Sequence, residues 1–134
     1  MKVLLDTHVL LWWFENENKL SRAERRVLRA SSGQNPILVS DISLWEIATL
    51  VDLGRIRLGL PLRQWLDQAT APPLVERVPI SPAVAAETAT LPATFHRDPA
   101  DRIIVSTARV MGATLLTHDE DIVAAGVVPT LGQR

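Results

Sequence analysis

Apolar and polar positions fall along this chain in blocks whose period changes, and the changes mark out strands and helices. Lys2 to Leu5 is a short apolar run stopped by Asp6, the pattern of a buried strand. Thr7 to Phe14 then predicts a helix. Ser21 stands three residues before Glu24, a capping-box spacing that starts a second helix. Pro36 to Ser40 predicts the second strand. Ser43 to Leu53 predicts the helix after it, with Gly54 as its terminator. Pro61 to Ala69 predicts a short helix stopped by Pro72 and Pro73, and Val75 to Ile80 a third strand. Ser81 followed by Pro82 is an N-cap with proline at the first helical position, and that helix is predicted to run toward Leu91. Ala100 to Met111 is strongly helical and ends at Gly112. Thr114 to Thr117 predicts a fourth strand. Asp121 to Ala125 predicts a last turn or two of helix, ended by Gly126. Val127 to Leu131 predicts a short edge strand, because Pro129 cannot donate to a sheet interior.

Strand and helix alternate, which predicts an α/β domain with a mainly parallel central sheet. The 134 residues fit one domain, 1–134, with no internal repeat, low-complexity tract or linker. A hydrophobic fraction of 47% suits a folded core rather than a disordered chain. The absence of cysteine removes disulfides and thiolate metal sites. The apolar stretch Val9 to Phe14 is too short to span a bilayer, and Lys2 alone is a poor start for a signal peptide. A soluble, cytoplasmic protein without membrane contact is expected. The net charge of −1 gives no overall basic field, so a polyanion would have to be held by local charge or by metal.

Against that frame of elements, four acids stand out. Asp6 lies at the carboxyl end of the first strand and Asp119 just past the fourth. In parallel α/β sheets that rim is where ligands bind. Glu46 falls about one turn into the helix after the second strand, among apolar neighbours, and Asp101 lies in the first turn of the 100–111 helix. Each has an ordinary explanation on its own. Asp6 and Asp119 can cap helices, Asp101 can complement a helix dipole, and a helical Glu46 is usually a surface residue. Together at one rim they would repel one another unless a cation neutralised them. Carboxylate oxygens suit Mg²⁺ or Mn²⁺. The chemistry that such a site predicts is metal-assisted phosphodiester hydrolysis.

Four stretches carry a family resemblance: residues 4–13 (LLDTHVLLWW), 40–47 (SDISLWEI), 96–104 (HRDPADRII) and 116–119 (LTHD). The sequence resembles PIN-domain proteins, and among them the VapC toxins of type II toxin–antitoxin pairs. The resemblance implies a PIN-like three-layer α/β/α domain. It implies an Mg²⁺- or Mn²⁺-dependent endoribonuclease that forms a homodimer and is blocked by a cognate VapB-type antitoxin. Position by position, it makes Asp6, Glu46, Asp101 and Asp119 the metal-binding and catalytic set. Thr7, Ser43 and Thr117 match small polar positions beside the acids. Asp98 matches the third stretch as a partner of the site rather than a metal ligand, and Asp121 is expected to be a surface acid.

The remaining polar and aromatic residues are assigned around that set. His8, His96 and His118 each lie close to one of the acids but are expected to be solvent-facing rim residues rather than ligands. An all-helical His/Asp phosphohydrolase would need further histidines. Arg22, Arg25, Arg26 and Arg29 recur at helical spacing, either as a solvated face or as a phosphate contact. Arg102 is expected to pair with an acid or to touch the RNA. Trp12, Trp13, Trp45 and Trp65 are expected in the core or an interface, with at least one of the adjacent pair facing a neighbour. A receiver-like signalling module is a competing small α/β reading, but it needs a late lysine and none follows Lys19. A PIN-like protein that binds RNA or a partner without cutting remains open.

Overall fold

The computed structural model describes residues 1–132. Alternation along its strands decides the architecture. Val3, Leu5, Ile37, Val39 and Leu116 join one apolar core, while Leu4, Leu38 and Leu115 join a second. Successive strand residues point to opposite faces, so both faces of this sheet are buried and both need covering. The five strands are β1 (Val3–Leu5), β2 (Ile37–Ser40), β3 (Val75–Val78), β4 (Thr114–Leu116) and β5 (Thr130–Leu131). Their order is β3-β2-β1-β4-β5 and every pairing is parallel.

Helices supply the two covering layers. Over the first core, α1 (Thr7–Glu15), α2 (Arg22–Arg29), α3 (Asp41–Asp52) and α4 (Leu62–Ala69) contribute Val9, Leu10, Leu28, Ile47 and Trp65. Over the second, α6 (Pro99–Met111) and α7 (Glu120–Ala125) contribute Ile104, Val105, Ala108 and Ile122. The remaining helix, α5 (Pro82–Thr88), packs on α6. Each fully buried Leu or Ile side chain is worth roughly 1.5–3 kcal/mol of transfer free energy. No described helix is long and apolar enough to cross a membrane.

Local signals explain most boundaries. The Ser21–Glu24 capping box is complete, and Ser81 caps α5 ahead of Pro82. Gly112 and Gly126 end α6 and α7 with φ of 62° and 63°, the left-handed conformation glycine takes at least cost. Several edges differ from the sequence reading. Helix α3 starts at Asp41 rather than Ser43, because the Ser40 hydroxyl accepts the Ile42 N–H at 3.2 Å. Helix α5 stops at Thr88, short of Leu91. Pro92 has no N–H for the Thr88 carbonyl, which instead accepts from Arg102 at 3.0 Å. The last strand shrinks to Thr130–Leu131, and an unpredicted 3₁₀ turn spans Glu17–Lys19.

The strand order positions the site. The chain leaves β1 toward β2 and β3 on one side, then returns to place β4 and β5 on the other. The carboxyl ends of β1 and β4 therefore flank a topological switch point, where open α/β sheets form their ligand crevice.

Candidate active site

Asp6 and Asp119 meet at that switch point through one hydroxyl. Asp6 follows β1, and its N–H donates to the Leu116 carbonyl of β4 at 2.9 Å. Its Oδ1 accepts the Thr7 N–H at 2.8 Å and so caps α1. Its Oδ2 accepts from the Thr117 hydroxyl at 2.6 Å, and that hydroxyl oxygen accepts the Asp119 N–H at 3.0 Å. Asp119 in turn caps α7, accepting the Asp121 and Ile122 N–H groups at 2.9 and 3.2 Å. The ordinary explanation of these two acids as caps is thus correct, and it also fixes where their carboxylates stand.

Glu46 and Asp101 approach from the helices. Thr7 Oγ1 is hydrogen-bonded to Glu46 Oε1 and lies 2.9 Å from Ser43 Oγ. A carboxylate only accepts, so the Thr7 proton goes to Glu46 and Ser43 donates to Thr7. Asp98 caps α6, and its Oδ1 accepts the Asp101 N–H at 3.0 Å. His96 Nε2 lies 2.8 Å from Asp101 Oδ2, with its ring stacked on Phe95. Thr7, Ser43, Thr117 and Asp98 therefore all touch an acid or the residue that holds one. Asp121 is exposed.

The charges act on one another. Burial pushes the Asp101 carboxyl up to about 6, His96 opposes the rise, and the charges of Asp6, Asp98 and Asp119 add to it. Burial also raises Glu46; the Thr7 hydrogen bond opposes this, and Asp101, Asp6 and Asp98 reinforce it. Among the described residues no lysine or arginine pairs with any of the four acids. Nor, among the described residues, do three or more acidic or histidine side chains already converge closely enough to hold a metal ion. The rim is an open set of carboxyl oxygens flanked by two histidines but, among the described residues, by no lysine or arginine partner. That donor chemistry fits a hard divalent cation, which Asp6, Glu46, Asp101 and Asp119 could hold.

Two expectations change, and the tryptophans divide between core and surface. Arg102 pairs with none of the acids. Its guanidinium faces the carbonyls of Thr88, His96 and Phe95 at 3.0, 3.2 and 3.4 Å and holds the loop that carries His96. The histidines are half-buried and bonded rather than simply solvent-facing. The His118 N–H donates to His8 Nε2 at 2.9 Å, and His118 Nε2 lies 2.8 Å from Glu24 Oε1. Because His8 Nε2 accepts, its proton resides on Nδ1, 3.7 Å from Asp6 Oδ2. Burial lowers the His8 pKa, and its acidic neighbours only partly offset this. Trp65 is core, whereas Trp12 packs on His8 and His118 and Trp13 against the first core. Trp45, beside Glu46, is the exposed one at 62%.

The sequence marks Glu24 only as a capping-box partner, yet it is 0% exposed. A helical-wheel count would have signalled this, since Glu24, Val27 and Leu28 share one stripe of α2.

A family model described as the PIN domain matches residues 3–127. The chain belongs to the PIN-domain family. This PIN domain is 39% identical over 117 residues to Ribonuclease VapC22 of Mycobacterium tuberculosis (strain ATCC 25618 / H37Rv), covering 87% of this chain and 86% of that one. Its fold resembles the structure of VapBC2 from Rickettsia felis bound to a promoter DNA fragment, with a TM-score of 0.72 at 17% identity over 98% of both chains. It also resembles VapBC-1 from nontypeable Haemophilus influenzae, with a TM-score of 0.71 at 14% identity over 98% of this chain and 97% of that one. The three-layer α/β fold expected from the four motif stretches is the fold observed.

Proposed function

We propose that this PIN domain is an Mg²⁺- or Mn²⁺-dependent endoribonuclease and the toxin of a type II toxin–antitoxin pair. The observation that carries the reading is the acidic rim: four carboxylates at the switch point, two of them raised by burial and repulsion. The identity to a ribonuclease along most of both chains supports the same activity. The VapBC complexes among its structural neighbours support an antitoxin of the VapB type as its partner. Assembly as a homodimer in the cytoplasm completes the reading.

The chain's own residues then divide the work. Thr7 N–H and the Thr117 hydroxyl fix the two oxygens of Asp6. Thr7 and Ser43 orient Glu46, while Asp98 and His96 orient Asp101. A bound divalent cation would supply the positive charge that offsets the phosphodiester and makes water more acidic. Exposed Arg22, Arg26 and Arg29 on α2 offer concentrated positive charge for the RNA backbone.

Purified protein should cut RNA with Mg²⁺ or Mn²⁺ and lose that activity with a chelator. Asp6→Asn and Asp101→Asn should each fold and lose more than the ~10–100-fold typical of outer-shell partners. Full activity in the double variant would refute the assignment. A wild type that binds RNA and never cuts would favour the non-cleaving reading.

A further inference from the structure

Glu24 is a buried carboxylate that the proposed chemistry does not use. Its Oε1 accepts the Ser21 N–H at 2.8 Å and faces His118 Nε2 at 2.8 Å. Its Oε2 has no hydrogen-bond partner among the described residues. A capping box does not explain this burial, because an exposed glutamate accepts the same N–H. Taking a carboxylate out of water costs several kcal/mol. The stripe it occupies would otherwise suit leucine, since Leu20 and Leu28 beside it belong to the first core. The backbone at Gly132 also seals it. A Cβ on Gly132 would lie 2.8 Å from Glu24 Oε2 and 2.5 Å from the Thr117 carbonyl.

The bonds lead from Glu24 to the acidic rim. His118 sits between Thr117, which donates to Asp6, and Asp119. Its N–H donates to His8 Nε2, which leaves the His8 Nδ1 proton toward Asp6. Trp12 lies against both imidazoles, with ring centroids 5.0 Å from His8 and 4.9 Å from His118. We propose that Glu24 is a positioning residue: by holding the His118 ring it fixes the Thr117–Asp119 turn, and through His8 the orientation of Asp6. It touches neither substrate nor cation. The inference concerns how the site is held and rests on the nuclease reading only for its activity arm.

Four proteins test it: wild type, Glu24→Leu, Glu24→Gln and His118→Phe. Glu24→Leu removes both hydrogen bonds. His118→Phe leaves the capping box intact and so serves if Glu24→Leu does not fold. Glu24→Gln keeps an oxygen acceptor. Long-range ¹⁵N spectra of the metal-free proteins should show His8 protonated at Nδ1 in wild type and Glu24→Gln. In the other two variants that single-tautomer signature should be lost. Their kcat for RNA cleavage should fall about 10–100-fold, with KM little changed, and Glu24→Gln should retain most of the activity. Folded His118→Phe or Glu24→Leu with wild-type kcat and an unchanged His8 spectrum would overturn the proposal, as would a change in KM alone. If wild type cuts no RNA, the nuclease reading fails while the His8 spectra still decide the positioning role.

Discussion

Two pairs of acids share one rim and are held in different ways. Asp6 and Asp119 stand at strand ends and receive backbone N–H groups, from Thr7 in one case and from Asp121 and Ile122 in the other. Glu46 and Asp101 stand on helices and rely on side-chain partners, Thr7 and His96. The strand-end pair is part of the fold's own hydrogen bonding. The helix pair carries charge that burial and neighbours oppose. One pair is therefore built in by folding, and the other is the pair a cation would relieve.

Substitution should separate the pairs first by stability. Asp6→Ala loses the α1 cap and strands the Thr117 hydroxyl, which should cost about 2–4 kcal/mol. Asp101→Ala should not destabilise the metal-free protein at neutral pH. Urea unfolding measures both, and equal losses would erase the distinction. A pH series sharpens it next. Asp101 binds its proton more tightly folded (about 6) than at its ordinary value of 3.8. The stability that Asp101 contributes to the metal-free protein should therefore fall as pH rises from about 4 to about 6 and level off above. Asp101→Asn should flatten that part of the curve. The smallest effect is a control. Ser81→Ala removes a cap that carries no acid of the site, since the Ser81 hydroxyl accepts the Val84 N–H. It should cost roughly 1 kcal/mol and leave RNA cleavage unchanged.

The sequence made the strands and the acids readable for related reasons. Strands such as Ile37–Ser40 are buried on both faces, so they read as unbroken apolar runs. Asp6 ends such a run, and the rule for strand ends in parallel sheets places it at the rim. Asp101 was legible because first helical turns favour acids, whereas Asp98 was legible only through the matching third stretch; its role as the α6 cap came from the structure. Other features depend on contacts between distant segments and left no local mark. The Arg102 clamp needs the Thr88 carbonyl 14 residues away, and the Glu24–His118 contact spans 94. The exposure of Trp45 beside the packed Trp12 was equally hidden, because four tryptophans look alike until the helices are docked.

The central place of β1 bears on the order in which the molecule comes into being. Its neighbour β4 begins at Thr114, and the Thr117–Asp6 hydrogen bond joins residues 111 apart. Ribosomes make the chain from its N-terminus at about 5–20 residues per second. Asp6, Glu46 and Asp101 are all synthesised before the strand that locks Asp6 into place. A nascent chain that has not yet exposed residues 114–119 lacks two of the five strands, β4 and β5, and has Asp6 without its Thr117 partner. On the nuclease reading, a nascent chain would cut no RNA before residues 114–119 have emerged and paired with β1.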